Sequence, residues 1–347
     1  MQSLRQGLHR RLCPVHPEKG FKTLNAPGSD RQGEPGGQPS PASWPPAPET
    51  LLPLLRHRLP ATGPEARRLW HGRGGTAIDW SWLSIDWYPP VLHLIAYREI
   101  PEAFARQLAD LLDPHLQPRP ATVYLQRRDL CDAPHLLLQG EHPAAPVARE
   151  NGLTFRLDFG RGRNIGFFPD MAAGRRWVRE RAEGKRILNL FAYTCAFSVA
   201  ALAGGAVQVV NLDMNRNVLA RGRENHLLNG IDPRRAGFLA HDLFKSFGKL
   251  RRLGPFDLVI ADPPDIQGAS FRSERDWPKL LRKLPELLTA NGEFLACVSS
   301  PRLGRRFLLE MINRHTPFLQ LLEKRTAGPD FPERDPDKGL HLMLYTR

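Results

Sequence analysis

A chain of 347 residues with 41% hydrophobic content is long enough for two or three packed units, and no apolar run in it reaches the roughly 18–20 residues that a membrane span needs. The formal net charge is +13, with arginine supplying most of the positive side, which points to a polyanionic partner, nucleic acid ahead of a membrane surface. The four cysteines Cys13, Cys131, Cys195 and Cys297 form no C-x-x-C pair and no Cys/His cluster, which argues against a disulfide framework or a zinc site and for a reducing cytoplasm. A GC-rich coding bias would also enrich Arg, Ala, Gly and Pro, so charge alone does not establish RNA binding.

Residues 1–62 read as an arm. The stretch "GSDRQGEPGGQPSPASWPPAPET" carries too little apolar surface to offset the entropy of ordering, so a disordered Pro/Gly-rich segment is expected. Its start, "MQSLRQGLHRRLCPVHP", is basic without the apolar core of a secretory signal. That composition leaves a transit peptide or an RNA-grazing tail open.

Residues 63–160 read as a small α+β domain. "SIDWYPPVLHLIAY" and "ATVYLQRR" are strands, and "PEAFARQLADLLD" between them is a helix, with Pro in the first turn and helical spacing of Phe104, Leu108, Leu111 and Leu112. "HLLLQGE" and "LTFRLDF" add strands, and the unit ends near Phe159. Residues 161–347 then alternate strands and helices. The strands are "RILNLFA", "QVVNLDM", "AGFLAHD", "FDLVIADPP", "GEFLACVS", "FLQLLEKR" and "LHLMLYT". Apolar runs in βαβα order imply a Rossmann-like α/β fold, a seven-stranded and mostly parallel sheet whose last strand is antiparallel.

In such a sheet ligands sit beyond the carboxyl ends of the strands. Those ends carry Asn189 and Phe191, then Asp213, then His241 and Asp242, then Asp262-Pro263-Pro264, then Cys297 to Ser300. Asp213 ends the second strand, where an acid typically binds both ribose hydroxyls of an adenosine cofactor. A nicotinamide oxidoreductase would use the same acid, but it also needs glycines in the first turn so that backbone can approach a pyrophosphate. The first turn here, "LFAYTCAF", has none. S-adenosylmethionine carries no pyrophosphate and tolerates such a turn. After the fourth strand, two prolines fix an extended backbone without N–H donors, which can present carbonyls and the Asp262 side chain to a planar base.

In order, "RNIGFFPDMAAGRRWV", "LNLFAYTCAFSVAALAGGA", "VVNLDMNRNVLARGRENHLLNG", "HDLF", "FDLVIADPP" and "FLACVSSPRL" resemble the class I S-adenosylmethionine-dependent methyltransferases of the bacterial large-subunit ribosomal RNA group, which includes cytosine-C5 and guanine-N7 enzymes. The resemblance runs from about Leu69 to Arg347. It implies that Phe168 and Asp170 border the cofactor, that Asn189, Phe191 and Tyr193 line its methionine side, and that Asp213 holds the ribose. It also implies Asp242 near the adenine amino group and Asp262, Pro263 and Pro264 beside the target base. Two departures stand out: the group's "D-Q-R-x-N-R" is here "DMAAGR", leaving Arg175 as the counterpart of the final arginine, and many relatives have Gly where this chain has Cys195.

Methylating cytosine at C5 takes a thiolate that adds to C6, whereas guanine N7 already has a lone pair. Relatives that make 5-methylcytosine carry "TCSCS" at the fifth strand end; here the sequence is "ACVSSPRL". Cys297 is therefore a nucleophile only if the target is cytosine C5. An RNA surface is expected around Arg67, Arg68, Trp70, His71 and Arg73, with at most one of Trp80, Trp82 and Trp87 as a stacking platform and the rest as core. "RRWVRERAEGKR" reads as a solvated helix face. The reading is a cytoplasmic enzyme acting on RNA, ribosomal by resemblance. A methyltransferase of a small molecule or protein, or an inactive RNA-binding relative, stands as the alternative.

Overall fold

The structure is a computed structural model that describes residues 44–160, 162–300 and 302–347. The expected arm falls outside the described residues as far as residue 43. From there it departs from the expectation: a 3-10 turn at Pro48–Leu51 runs into α1 (Leu52–Leu55), with Leu51 and Leu55 fully buried. The leucines of "ETLLPLL" supply apolar surface to pack, so residues 48–55 fold where a disordered arm is expected.

Strand β1 (Ala61–Thr62) precedes β2 (Arg67–His71), β3 (Leu83–Tyr88) and β4 (Val91–Ala96). Helix α2 (Glu102–Leu112) follows Pro101 at its N-cap and buries Phe104, Ala105, Leu108 and Leu112. Then come β5 (Leu116–Gln117), which pairs with β1, β6 (Thr122–Arg127) and β7 (His135–Gly140). The five-stranded sheet has the order β2-β3-β4-β6-β7. Period-two alternation sends Leu83, Ile85 and Trp87 of β3 into a core with α2, and sends Asp86 and Tyr88 to the other face. Trp70, Trp80, Trp82 and Trp87 are all buried, at 3%, 2%, 7% and 1% exposure. None is a stacking platform, because every ring lies in the core; Trp70 donates to Trp80 O (2.9 Å), Trp82 to Asp79 O (2.7 Å) and Trp80 to the Thr50 hydroxyl (3.2 Å).

The hairpin β8 (Val147–Glu150) and β9 (Leu153–Arg156) leads to α3 (Ala172–Arg181). The alternating part follows: β10 (Arg186–Leu190), α4 (Ala196–Ala203), β11 (Gln208–Asp213), α5 (Arg216–Leu228), β12 (Ala236–Ala240), α6 (Phe247–Leu253) and β13 (Phe256–Ala261). A small hairpin, β14 (Ile266–Gln267) and β15 (Phe271–Arg272), precedes α7 (Ser273–Lys283), β16 (Leu288–Val298), α8 (Arg305–His315), β17 (Gln320–Thr326) and β18 (His341–Thr346). The seven-stranded sheet has the order β12-β11-β10-β13-β16-β18-β17. Strands β10 to β13 and β16 pair in parallel, and β18 runs antiparallel between β16 and β17. Both faces are covered: Ile187, Leu258, Ile260 and Leu295 belong to one core, and Leu188, Val259, Phe294 and Ala296 to the other. The strand order turns outward in both directions from β10 and β13, and the crevice opens there.

The two sheets are tied by the loop between β17 and β18. A Cβ on Gly74 would lie 1.9 Å from Pro332 O, and Arg334 N–H donates to Gly74 O at 2.7 Å. A second close approach joins α5 to the turn after β10, where a Cβ on Gly222 would lie 2.4 Å from Cys195 Sγ. Cys195 also has φ of 60°. Gly222→Ala is therefore expected to cost about 1–3 kcal/mol through overpacking, whereas Cys195→Gly removes the clash and suits the left-handed backbone. Denaturant unfolding of the double variant should recover most of the Gly222→Ala loss; additive losses would show that the two positions do not meet.

Candidate active site

The turn after β10 has no glycine, yet it adopts left-handed backbone at three alternate residues, Phe191 (φ 55°), Tyr193 (φ 46°) and Cys195 (φ 60°). Such conformations are costly for residues with a side chain and persist when surroundings impose them. Here the constraint is Asp213 at the end of β11. Its Oδ2 accepts the Tyr193 N–H at 3.0 Å and its Oδ1 accepts the Asn215 N–H at 2.9 Å. Each oxygen keeps a further acceptor position, which is what a ribose diol requires.

Phe191, Asp213 and Asp242 line one crevice. Asp242 also accepts the Lys245 N–H at 3.1 Å, which holds the loop after β12. The same crevice is walled by Met214, Phe244, Gln267, Ser270 and Phe271, which the strand-end reading missed. Phe271 meets Phe191 edge-on at 4.9 Å and stacks with Phe244 at 6.3 Å. Only the aromatic "LFKSF" after Asp242 hinted at this wall. Phe168, 41% exposed, packs 5.4 Å from Tyr193 at the rim. Asn189 is corrected. It lies on the opposite face of β10, 1% exposed, and its amide donates to Asn211 Oδ1 at 2.9 Å. Asn211 continues to Ser198 and His226 (3.0 and 2.9 Å), so Asn189 braces the sheet from below.

Asp262 follows β13 and is half-buried; Pro263 beside it is buried and Pro264 exposed. Burial pushes the Asp262 carboxyl up to about 7, the nearby Asp170 charge adds to this, and Arg175 opposes it. Asp170 is itself pushed up by burial, against the pull of Arg68, Arg175 and His71. Thus Asp170, expected at the cofactor, also faces Asp262. Two buried forks frame the pair. Arg175 grips Glu150 at 2.7 and 2.6 Å and donates to Phe168 O at 2.9 Å, and Arg68 grips Asp86 at 2.7 and 2.8 Å. The arginine expected on a solvated helix face is thus an inward clamp on the 168–170 segment. The motif resemblance singled out Arg175 but not its partner, because Glu150 lies on β8.

Cys297 on β16 has no exposed surface and sits in the apolar core, paired in register with Leu342. Burial, then the Asp262 charge, pushes its thiol well above the usual range. Cys195 is likewise buried and its thiol raised. Both favor the neutral thiol over the nucleophilic thiolate. Ser300, in the following loop, donates to Asp265 Oδ2 at 3.1 Å, and Arg302 binds the same carboxylate at 2.9 Å, closing that side of the crevice.

The sequence profile of the family described as S-adenosylmethionine-dependent methyltransferase matches residues 67–346. Ribosomal RNA large subunit methyltransferase I of Aeromonas hydrophila is 40% identical over 220 residues, 59% of this chain and 55% of that protein. The Aeromonas salmonicida protein of the same name is 39% identical over 219 residues, with the same coverage. The chain spans about half the length of the curated relatives it matches. Among solved structures, a protein from Streptococcus mutans assigned as an S-adenosylmethionine-dependent methyltransferase shares the fold with a TM-score of 0.74 at 24% identity, over 86% of this chain and 79% of that one.

The raised Asp262 pKa has a stability consequence. Between the ordinary carboxyl value and about 7, the folded state keeps a proton that the unfolded state has released, so stability is full below about pH 4 and falls as pH rises through 7. Asp262→Asn should therefore raise Tm near pH 8 and leave it unchanged near pH 4. An equal shift at both pH values would mean that the carboxyl is not held among these neighbors.

Proposed function

The chain belongs to the S-adenosylmethionine-dependent methyltransferase family, and from that premise we propose that it methylates a base of large-subunit ribosomal RNA. The observation that carries this reading is the crevice itself. Asp213 and Asp242 line it beside an aromatic wall of Phe191, Phe244 and Phe271, and Asp262 with its two donor-free prolines follows β13, the parallel neighbor of β10. The residues fit an adenosine-bearing cofactor: Asp213 has two oxygens anchored by backbone yet able to accept more, and Phe244 offers a ring face for an adenine. When bound, S-adenosylmethionine supplies an electrophilic methyl group on a sulfonium.

In this reading Phe168, Phe191 and Tyr193 border the methionine side, Asp213 holds the ribose, and Asp242 meets the adenine amino group. Asp262 and the carbonyls ahead of Pro263 and Pro264 accept hydrogen bonds from the target base, and the absence of N–H groups at the prolines leaves no competing donor. Burial, helped by the Asp170 charge, holds the Asp262 carboxyl near neutrality. Positioning a lone pair against the donor is then the main catalytic contribution. Of the two targets weighed, guanine N7 fits better than cytosine C5, because C5 chemistry needs an accessible thiolate and Cys297 is sealed in the core.

The RNA substrate is read from the names of the relatives and from the net charge of +13. An RNA substrate goes with a cytoplasmic location. No helix among the described residues is long and apolar enough to cross a membrane. The catalytic unit is assigned to residues 161–347 and an RNA-facing α+β unit to the residues before it.

Nucleoside mass spectrometry of large-subunit RNA from a deletion strain should show loss of 7-methylguanosine at one site, restored by the wild-type gene and by Cys297→Ala. Loss of 5-methylcytidine, with no rescue by Cys297→Ala, would restore the C5 mechanism; unchanged RNA would remove ribosomal RNA as substrate. For the cofactor, Asp213→Ala should weaken S-adenosylhomocysteine binding in calorimetry by roughly 1.5–3 kcal/mol, the loss typical of charge-assisted hydrogen bonds. Unchanged affinity would take Asp213 out of the site.

A further inference from the structure

We propose that Arg73, Arg128 and Arg163, together with the Tyr97 ring, form a site that grips the sugar–phosphate backbone of single-stranded RNA next to the base being methylated. This rests on the reading of the substrate as RNA and assigns the surface that would hold it.

The four residues come from four separate segments that converge on one end of the five-stranded sheet. Tyr97 and Arg128 directly follow the parallel neighbors β4 and β6, and the Arg128 N–H donates to Ala96 O at 2.8 Å. Arg73 follows β2 and lies over the Tyr97 ring, 5.0 Å from its centroid. Arg163 lies in the segment between β9 and α3 and offers its carbonyl to Arg128 at 2.7 Å.

The three arginines converge without a carboxylate partner, unlike pairs such as Arg127 with Asp129 and Arg302 with Asp265. Among the described residues, no ion pair involves Arg73, Arg128 or Arg163. The guanidinium of Arg128 is held instead by neutral acceptors, Gln126 Oε1 (3.0 Å), Arg163 O (2.7 Å) and Asn164 Oδ1 (3.1 Å). Burial lowers its pKa, and the charges of Arg163, Arg73 and Arg68 lower it further against the help of Tyr97. Like charges held together without a carboxylate are relieved by a bound anion, and the fixed guanidinium plane of arginine suits a phosphate.

The position also argues for a substrate strand. Asn164, bonded to Arg128 through its side chain, accepts the Tyr193 hydroxyl on its carbonyl at 3.5 Å, and Tyr193 N–H donates to Asp213. One bonded path thus runs from the arginines to the candidate cofactor site. The exposed Phe168 ring and its neighbor Tyr193 lie at the rim of that path, available to an unstacked base. Arginines for phosphates and aromatic rings for splayed bases are the combination that single-stranded RNA requires.

The test uses the full chain and the exposed arginines, whose side chains support nothing else: Arg73→Gln, Arg163→Gln and the double variant. Binding of a short fluorescein-labeled single-stranded RNA is followed by anisotropy across a salt series. For single strands each phosphate contact contributes about 0.7 to the slope of log K against log salt, so the double variant should lose about 1.4 and bind roughly fivefold more weakly per contact near 0.1 M salt. Affinity for S-adenosylhomocysteine should stay at the wild-type value. An unchanged slope in the double variant, with wild-type RNA binding intact, overturns the proposal. Preference for a duplex over the single strand also overturns it. Absence of salt-dependent RNA binding by the wild type instead brings down the reading of the substrate as RNA.

Discussion

The Asp213 carboxylate is the fixed point of the site. It accepts one backbone N–H from the turn after β10 and one from the turn after β11, so two loops that leave adjacent parallel strands share a single anion. A glycine-poor turn with three left-handed residues would relax without such an anchor. With it, Phe191 turns toward Phe271 and Tyr193 toward Phe168, and the two rings mark opposite edges of the crevice. Cys195 completes the turn by filling the space over Gly222, which is why a residue one sulfur larger than its surroundings allow is matched by the smallest residue on α5.

The second constraint is electrostatic. Asp170 and Asp262 face each other where the two sheets meet, and neither has a fork partner of its own. Arg68 and Arg175 lie close by but are committed to Asp86 and Glu150. Buried pairs of this kind add little net stability, but removing one partner from either would leave an uncompensated charge, so they define position. The arrangement lets the Asp262 carboxyl titrate near neutrality, a value useful to a group that must accept from a nucleobase and costly to the folded state at higher pH.

The excess of positive charge is unevenly used. Some arginines are committed to buried carboxylates, as Arg68 is to Asp86 and Arg175 to Glu150. Three without a carboxylate partner, Arg73, Arg128 and Arg163, converge at one end of the five-stranded sheet. A basic run in sequence, such as residues 175–186, is a poor guide to that surface, since Arg175 within it points inward to Glu150.

The sequence alone determined what depends on neighbors along the chain. Strand and helix periods, the residues at strand ends, and therefore Asp213, Asp242 and Asp262, follow from spacing, because a parallel strand must be apolar throughout and release polar residues where it leaves the sheet. What the tertiary structure decided is the partner of each group. Asn189 ends a strand like the others, yet a period of two turned it to Asn211 on the underside of the sheet. Cys297 lies on a strand that β18 covers, so its thiol is core. The tryptophans went inward with the apolar core of the five-stranded sheet. Arg175 on α3 found Glu150 on β8, Arg68 found Asp86 across the β2–β3 pair, and Arg73, Tyr97, Arg128 and Arg163 met only when four segments converged. Distances of that kind are set by packing, and a one-dimensional pattern carries no record of them.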